Sequence, residues 1–130
     1  IFTGYVADED MIPLMKAASV FAYVSFYEGF GIPVIEGMAS MLPTVTSKGS
    51  SLEEVAGGCC HLCDPKDTST IAMSLQEAVD QATKVLANDS QAIEKLEKAL
   101  ARAKQFTWKA CGEGSIRAYK DAYEVRNGHK

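Results

Sequence analysis

Apolar and polar positions along this chain alternate between a continuous or period-two pattern and a period near 3.6, which predicts strands interleaved with helices. Residues 2–6 read as a short strand end. Asp8, Glu9 and Asp10 then supply an N-cap and first-turn acids, with Met11, Leu14, Met15 and Ala18 at helical spacing behind them. Residues 20–24 (V-F-A-Y-V) form an unbroken β-prone run, the pattern of a strand buried on both faces. Residues 25–32 are a glycine-containing loop, and a helix opens at Pro33, a favoured first helical position, and runs to about Ser40. Residues 42–45 read as the next strand, although Pro43 suits only a strand start.

The pattern continues in the second half. Residues 50–57 form a short capped helix closed by Gly57, residues 60–63 another strand, and Asp64-Pro65 the turn out of it. Thr68 or Ser69 caps a longer helix that places Ile71, Leu75, Val79, Ala82 and Leu86 on one face. Asn88-Asp89-Ser90 breaks it, and Ile93, Leu96, Leu100 and Ala103 mark a further helix. Phe106-Thr107-Trp108 is a second break before a last helix to about Val125. Strands and helices joined by connections of a few residues predict an α/β fold, a Rossmann-like doubly wound parallel sheet flanked by helices. The expected organisation is one partial domain over residues 1–125 and a frayed tail over 126–130. Because the chain opens on Ile1 in mid-strand, the expectation is that its first strands are missing.

Composition narrows the class. With 130 residues, 47% hydrophobic and 23% charged, the chain can bury one core and is neither disordered nor a coiled coil. No apolar run reaches the roughly 20 residues of a membrane span, and no signal peptide is legible. The net charge of −4 is uneven. Residues 1–67 hold nine acids against three bases, and residues 68–130 eight acids against ten bases. Neither half is basic enough to make nucleic acid the expected partner, and the Lys/Glu alternation over residues 84–104 reads as a solvated helix face. Cys59, Cys60 and Cys63 cluster around His61, but a zinc site wants four ligands, and only distant Cys111 and His129 remain. A short strand with cysteines as small apolar residues, and His61 hydrogen-bonded within it, is the simpler reading. A reducing cytoplasm fits free thiols. Trp108, Ile116, Tyr119 and Tyr123 read as core packing rather than a sugar platform.

Candidate chemistry concentrates in residues 25–39, S-F-Y-E-G-F-G-I-P-V-I-E-G-M-A. In open parallel sheets, ligands bind beyond the carboxyl ends of the strands, and this segment is such an exit leading into a helix. Gly29 and Gly31 permit close backbone approach and positive φ. Pro33 starts the helix without an N–H, leaving the amides of residues 31, 32, 34 and 35 at a terminus that favours an anion such as phosphate. Glu28 and Glu36 flank that position. A carboxylate accepts from two neighbouring hydroxyls, so a diol is its natural ligand there. Carboxylate, amide cluster and carboxylate in that order match a nucleotide sugar, with a diol at each end and the diphosphate between.

The segment E-G-F-G-I-P-V-I-E-G-M-A resembles the E-x7-E region of glycosyltransferase family 4, the group 1 retaining enzymes of GT-B fold. Residues 2–6 are similar to that family's strand before the acidic helix, and Ala18-Ser19-Val20-Phe21 to its "a-d-v-f" entry. Residues 50–55 resemble "S-S-L-P-E-V", Asp64-Pro65 "v-D-P", and Phe106-Thr107-Trp108 "f-s-W", so the likeness covers nearly the whole chain. It implies the C-terminal, donor-binding half of a hexosyltransferase of polysaccharide or glycolipid biosynthesis. Glu28 would hold the donor sugar and stabilise charge as its bond breaks, making it the catalytic candidate. Gly29 and the amides of Phe30, Gly31 and Ile32 would contact sugar and diphosphate, Glu36 the ribose, and Tyr5 and Val6 would lie by the base.

The resemblance further implies a UDP-, GDP- or ADP-type sugar as donor substrate, no metal and no other cofactor. It also implies a missing N-terminal acceptor domain, without which this chain alone would be inactive. Location would be cytoplasmic, with peripheral contact to the inner face of a membrane left open. Met41 stands where the family usually has Gly, Glu53 where it has Pro, and the family's basic pair for the diphosphate has no counterpart here. Two other readings compete. One is a non-catalytic nucleotide-binding or interaction fragment. The other is a glycoside hydrolase with Glu28 and Glu36 as its carboxyl pair, which would need them about 5–5.5 Å apart for retention.

Overall fold

The computed structural model describes residues 1–127. Its elements run α1 (Asp8–Ala17), β1 (Phe21–Tyr23), α2 (Ile32–Ala39), β2 (Thr44–Ser47), α3 (Ser51–Ala56), β3 (His61–Cys63), α4 (Thr68–Leu86), α5 (Ser90–Ala103) and α6 (Trp108–Asn127). The three strands form one parallel sheet in the order β1-β2-β3, with Ala22 opposite Val45 and Thr46 opposite Leu62. Helices cover both faces, as the sequence predicts for a doubly wound sheet. On one side, Val34 and Met38 of α2, Leu52 and Val55 of α3, and Ala99 and Ala103 of α5 make a buried cluster. On the other, Val45 and Cys63 pack against Ala78 of α4.

The central strand is β2, T-V-T-S, and all four of its residues are buried. Three of them are polar, which is tolerable only because each is hydrogen-bonded. The Thr44 hydroxyl donates to the Leu42 carbonyl at 2.9 Å, the Thr46 hydroxyl to the Tyr23 carbonyl at 2.9 Å, and the Ser47 Oγ accepts from the Ser25 N–H at 2.9 Å. The strand therefore lies two residues later than residues 42–45. Leu42 belongs instead to the end of α2, and Pro43 offers only its carbonyl, to the Phe21 N–H at 3.0 Å. Burial on both faces likewise belongs to β2 rather than to residues 20–24, since Ala22 of β1 is exposed.

Helix ends follow local chemistry closely. Ser50 caps α3 by accepting from the Leu52 N–H, and Glu53 reaches back to the Gly49 N–H at 2.7 Å, a variant of the capping box. Gly57 closes α3 in the left-handed region, φ 55°. Asp67, not Thr68 or Ser69, caps α4, and Asp89 caps α5 by accepting from the Ala92 N–H at 2.8 Å. The Asp67 carboxyl is held below its ordinary range, chiefly by the Ser69 hydroxyl and N–H. The α1 N-cap is Ala7, without a side-chain bond, so Asp8, Glu9 and Asp10 are all first-turn acids.

Two other expectations fail for want of partners. Residues 2–6 form no strand, because a strand exists only through its ladder and these residues find none; Phe2 is fully exposed. No residue of α6 is buried, and Trp108, Ile116, Tyr119 and Tyr123 are all exposed, so they are not core in this chain. Helix α6 also includes residues 126 and 127, the start of the expected tail, and the rest of that tail lies outside the described residues. Among the described residues, no helix is long and apolar enough to cross a membrane.

Helix α2 ends in a Schellman arrangement. The Met41 N–H donates to the Met38 carbonyl at 3.1 Å and the Leu42 N–H to the Gly37 carbonyl at 3.2 Å, which puts Met41 at φ 55°. Asn88 does the same after α4 at φ 59°, as a residue type that tolerates it. A methionine at this position carries the left-handed penalty of an L side chain, and its own side chain is partly exposed. Met41→Gly is therefore expected to stabilise the fold by about 1 kcal/mol, and Asn88→Gly by less, as read from denaturant midpoints.

Candidate functional site

All three strands direct their carboxyl ends to the same edge of the sheet, and the loop after β1 is fixed there from three directions. Its second residue, Ser25, is tied to Ser47 at the end of β2. Three residues on, the backbone carbonyl of Glu28 accepts from the Ser51 hydroxyl at 2.6 Å, which brings the start of α3 against the loop. The Glu28 carboxylate turns back toward the sheet, where its Oε1 accepts from the Tyr23 hydroxyl at 2.7 Å. This bond, more than burial or the Glu28 charge, keeps the phenol protonated above its ordinary range.

Gly31 is buried at φ 111°, and Leu52 lies where a Cβ would be, so only glycine fits. Gly29 differs: it is exposed, has no positive φ and faces open space. The Phe30 ring meets Phe106 edge-on, with centroids 5.7 Å apart at 78°. The Arg102 guanidinium lies 4.8 Å over the same Phe106 ring and donates to the carbonyls of Glu54 at 2.8 Å and Val55 at 3.2 Å. The loop is thus clamped by β1, by the end of β2, by the start of α3 and by the α5–α6 junction.

This clamping leaves polar groups of the loop without partners. Among the described residues, the amides of Phe30, Gly31 and Ile32 have no partner, whereas the Val34 N–H donates to the Gly31 carbonyl at 3.0 Å and Ile35 lies inside α2. Residue 34 therefore leaves the expected amide cluster. Ile32 and the Phe30 ring are partly exposed, and Glu36, in the second turn of α2, is exposed with no hydrogen bond to its carboxylate among the described residues. Tyr5 is almost wholly exposed, and among the described residues no hydrogen bond joins it or Val6 to the loop. An apolar groove of about 490 Å³ runs beside the loop, with Phe30, Ile32 and Ile35 on one wall and Phe106, Trp108 and Cys111 on the other.

The cysteine cluster carries no comparable chemistry. Cys63 is buried and donates to the Thr46 carbonyl at 3.4 Å, and burial pushes the Cys60 thiol up to about 12. Both behave as small apolar residues. His61 is held between Glu77 at 3.3 Å and Gln81 at 2.8 Å, as a strand histidine with satisfied nitrogens. Among the described residues, no group of three or more His, Cys, Asp or Glu could hold a metal ion.

Residues 1–81 match the family described as "Glycosyl transferases group 1". The chain belongs to that family. It is 42% identical over 120 residues to the O-antigen chain mannosyltransferase B of Escherichia coli, which takes in 92% of this chain and 29% of that protein. It is 32% identical over 108 residues to the serotype-specific mannosyltransferase WbdA of Escherichia coli, covering 83% of this chain and 12% of the relative. A third relative, the MMP alpha-(1->4)-mannosyltransferase of Mycolicibacterium hassiacum, is 36% identical over 78 residues, 58% of this chain and 19% of that protein. The chain thus spans less than a third of the length of these curated relatives. The three-stranded parallel sheet with helices on both faces is a Rossmann-like half of the GT-B type for this group 1 glycosyltransferase chain.

Several residues that shape the site were not singled out from sequence. Tyr23 read as a strand residue, Ser47 lay beyond the strand expected over residues 42–45, Ser51 read as part of a capped helix, and Arg102 as one charge in a Lys/Glu-rich helix. The polar T-V-T-S strand was the available signal, since a buried serine at a strand end must bond something. Arg102→Ala removes two bonds to α3 carbonyls and the contact with Phe106, and is expected to destabilise the chain by about 2 kcal/mol. Urea unfolding followed by far-UV circular dichroism checks this.

Proposed function

We propose that this group 1 glycosyltransferase chain binds the transfer donor, a nucleoside diphosphate sugar, at the loop from Glu28 to Ile32 and the start of α2. The observation that carries this reading is the pairing of unpartnered amides with a fixed carboxylate beside them. The amides of Phe30, Gly31 and Ile32, at the positive end of α2, suit the diphosphate. Glu28, beside open space at Gly29, suits sugar hydroxyls, and exposed Glu36 suits the ribose diol. Tyr5 and Val6, near the base in the resemblance, gain no support from their positions here.

In this reading the sugar is a hexose, and the mannosyltransferases among the relatives favour mannose. Transfer breaks the bond between the anomeric carbon and the diphosphate oxygen and forms one to an acceptor hydroxyl on the same face, with retention. The departing diphosphate takes the acceptor's proton, and Glu28 stabilises the charge developing on the sugar. No metal or further cofactor is invoked. The acceptor is bound outside this chain, in a longer polypeptide of the length its relatives have, and cytoplasmic action with peripheral membrane contact fits such an acceptor.

A thermal-shift screen of UDP, GDP, ADP and their hexose conjugates tests the reading, because a ligand of the folded state raises its stability. Residues 1–67 are acidic, so affinity is expected to be weak, about millimolar. Glu36→Ala should leave the unliganded melting temperature unchanged and weaken binding by about 1–3 kcal/mol. A variant that binds as tightly as the original would remove Glu36 from its role. Absence of any shift, both here and in a longer protein carrying this segment, would sink the donor reading.

A further inference from the structure

Glutamate has three side-chain torsions, and one on a loop ordinarily samples many rotamers. Glu28 is held at both ends instead. Its backbone carbonyl is pinned by the Ser51 hydroxyl at 2.6 Å and its carboxylate Oε1 by the Tyr23 hydroxyl at 2.7 Å. Tyr23 is itself anchored. It is the last residue of β1, its ring packs against the cluster of Val34, Met38 and Leu52, and its carbonyl accepts from the fully buried Thr46. Oε2 of Glu28 has no partner among the described residues.

We propose that Tyr23 is a positioning residue that takes Oε1 of Glu28 and so presents Oε2, already oriented, to the hydroxyls of the bound sugar. The proposal rests on the donor reading and adds to it the residue that sets the angle of its catalytic carboxylate. A phenol is suited to this task. It donates one hydrogen bond to a carboxylate while remaining neutral at physiological pH, so it orients Glu28 without neutralising the charge needed beside the sugar. The hydroxyl that does this is built into the sheet rather than the loop, so the carboxylate takes its direction from a paired strand. Preorganisation of this kind favours the sugar conjugate and leaves the free diphosphate indifferent, because only the conjugate uses Glu28.

The test compares Tyr23→Phe, Glu28→Gln and the double variant with the original chain. Binding of UDP-glucose, GDP-mannose and ADP-glucose and of the three free diphosphates is read by calorimetry. The Tyr23 phenol is followed separately by a carbon-13 NMR pH titration. Tyr23→Phe is expected to weaken the conjugate that binds by about tenfold and to change its free diphosphate by less than about twofold. The double variant should bind no more weakly than Glu28→Gln alone, since Tyr23 acts through Glu28. The phenol should titrate above the ordinary tyrosine value and return toward it in Glu28→Gln.

Equal weakening of conjugate and diphosphate by Tyr23→Phe, or additive losses in the double variant, would overturn the proposal and assign Tyr23 a purely structural part. A phenol that titrates normally would overturn it at its first step. If the phenol titrates high but none of the six probes binds, either to this chain or to a longer protein carrying it, the donor reading fails and the positioning role falls with it, while the hydrogen bond itself stands.

Discussion

Leu52 sits where Gly31 would carry a side chain, and the site loop can take its shape only because that side chain is missing. The contact does two things at once. It lets α3 approach close enough for Ser51 to reach the Glu28 carbonyl, and it holds Gly31 at the positive φ that turns the chain into α2. A Cβ at residue 31 would both clash with Leu52 and resist φ 111°, so packing and backbone conformation select glycine independently. The amides of Phe30, Gly31 and Ile32, unpartnered among the described residues, follow from this geometry. From the same contact, α3 leads through its C-terminal carbonyls to Arg102, then through Phe106 back to Phe30, closing a ring of interactions around the loop.

The central strand explains why that ring stays in register with the sheet. A buried T-V-T-S strand buries hydroxyls at a cost that apolar residues would avoid, unless each hydroxyl bonds a group that also needs a partner. The Thr46 hydroxyl donates to the Tyr23 carbonyl at the end of β1, and Ser47 satisfies the Ser25 N–H beyond it. The polar side chains thus continue the strand pairing past the point where β1 ends. This fixes the origin of the loop as firmly as the sheet itself, and only Val45, facing α4, is left to do ordinary apolar packing on β2.

How far the sequence discloses this depends on the range of the interaction. Pro33 in the first turn of α2 (one residue after its start at Ile32), Ser50 and Gly57 bounding α3, and the break before α5 are local, and each was legible because the physics acts within a few residues. The E-G-F-G-I-P segment was legible as a loop entering a helix for the same reason. Contacts across 23 residues, from Ser51 to Glu28 and from Thr46 to Tyr23, leave no periodic trace, and neither does Arg102 reaching 47 residues back to Val55. The strand expected over residues 2–6 and the core expected along α6 failed differently. Their patterns are apolar as read, but a pattern becomes strand or core only when a partner lies against it, and the described residues supply none.

Two departures from the family pattern, Met41 and Glu53, show where the fold tolerates substitution. Met41 takes the left-handed conformation that a glycine would adopt freely, but it does so at the far end of α2 from Gly31. Eight helical residues put about 12 Å between that strain and the amides of the site. An α-helix transmits little of a one-residue distortion at its C-terminus back to its first turn, so the penalty there is one of stability and not of site geometry. Glu53 goes further. Where proline would set the first turn of α3 by its ring, Glu53 sets it by a bond to Gly49, closing the cap that Ser50 begins. That turn carries Ser51 and Leu52, the two residues that hold the site loop, so the substitution preserves by hydrogen bonding what proline would have enforced by covalent geometry.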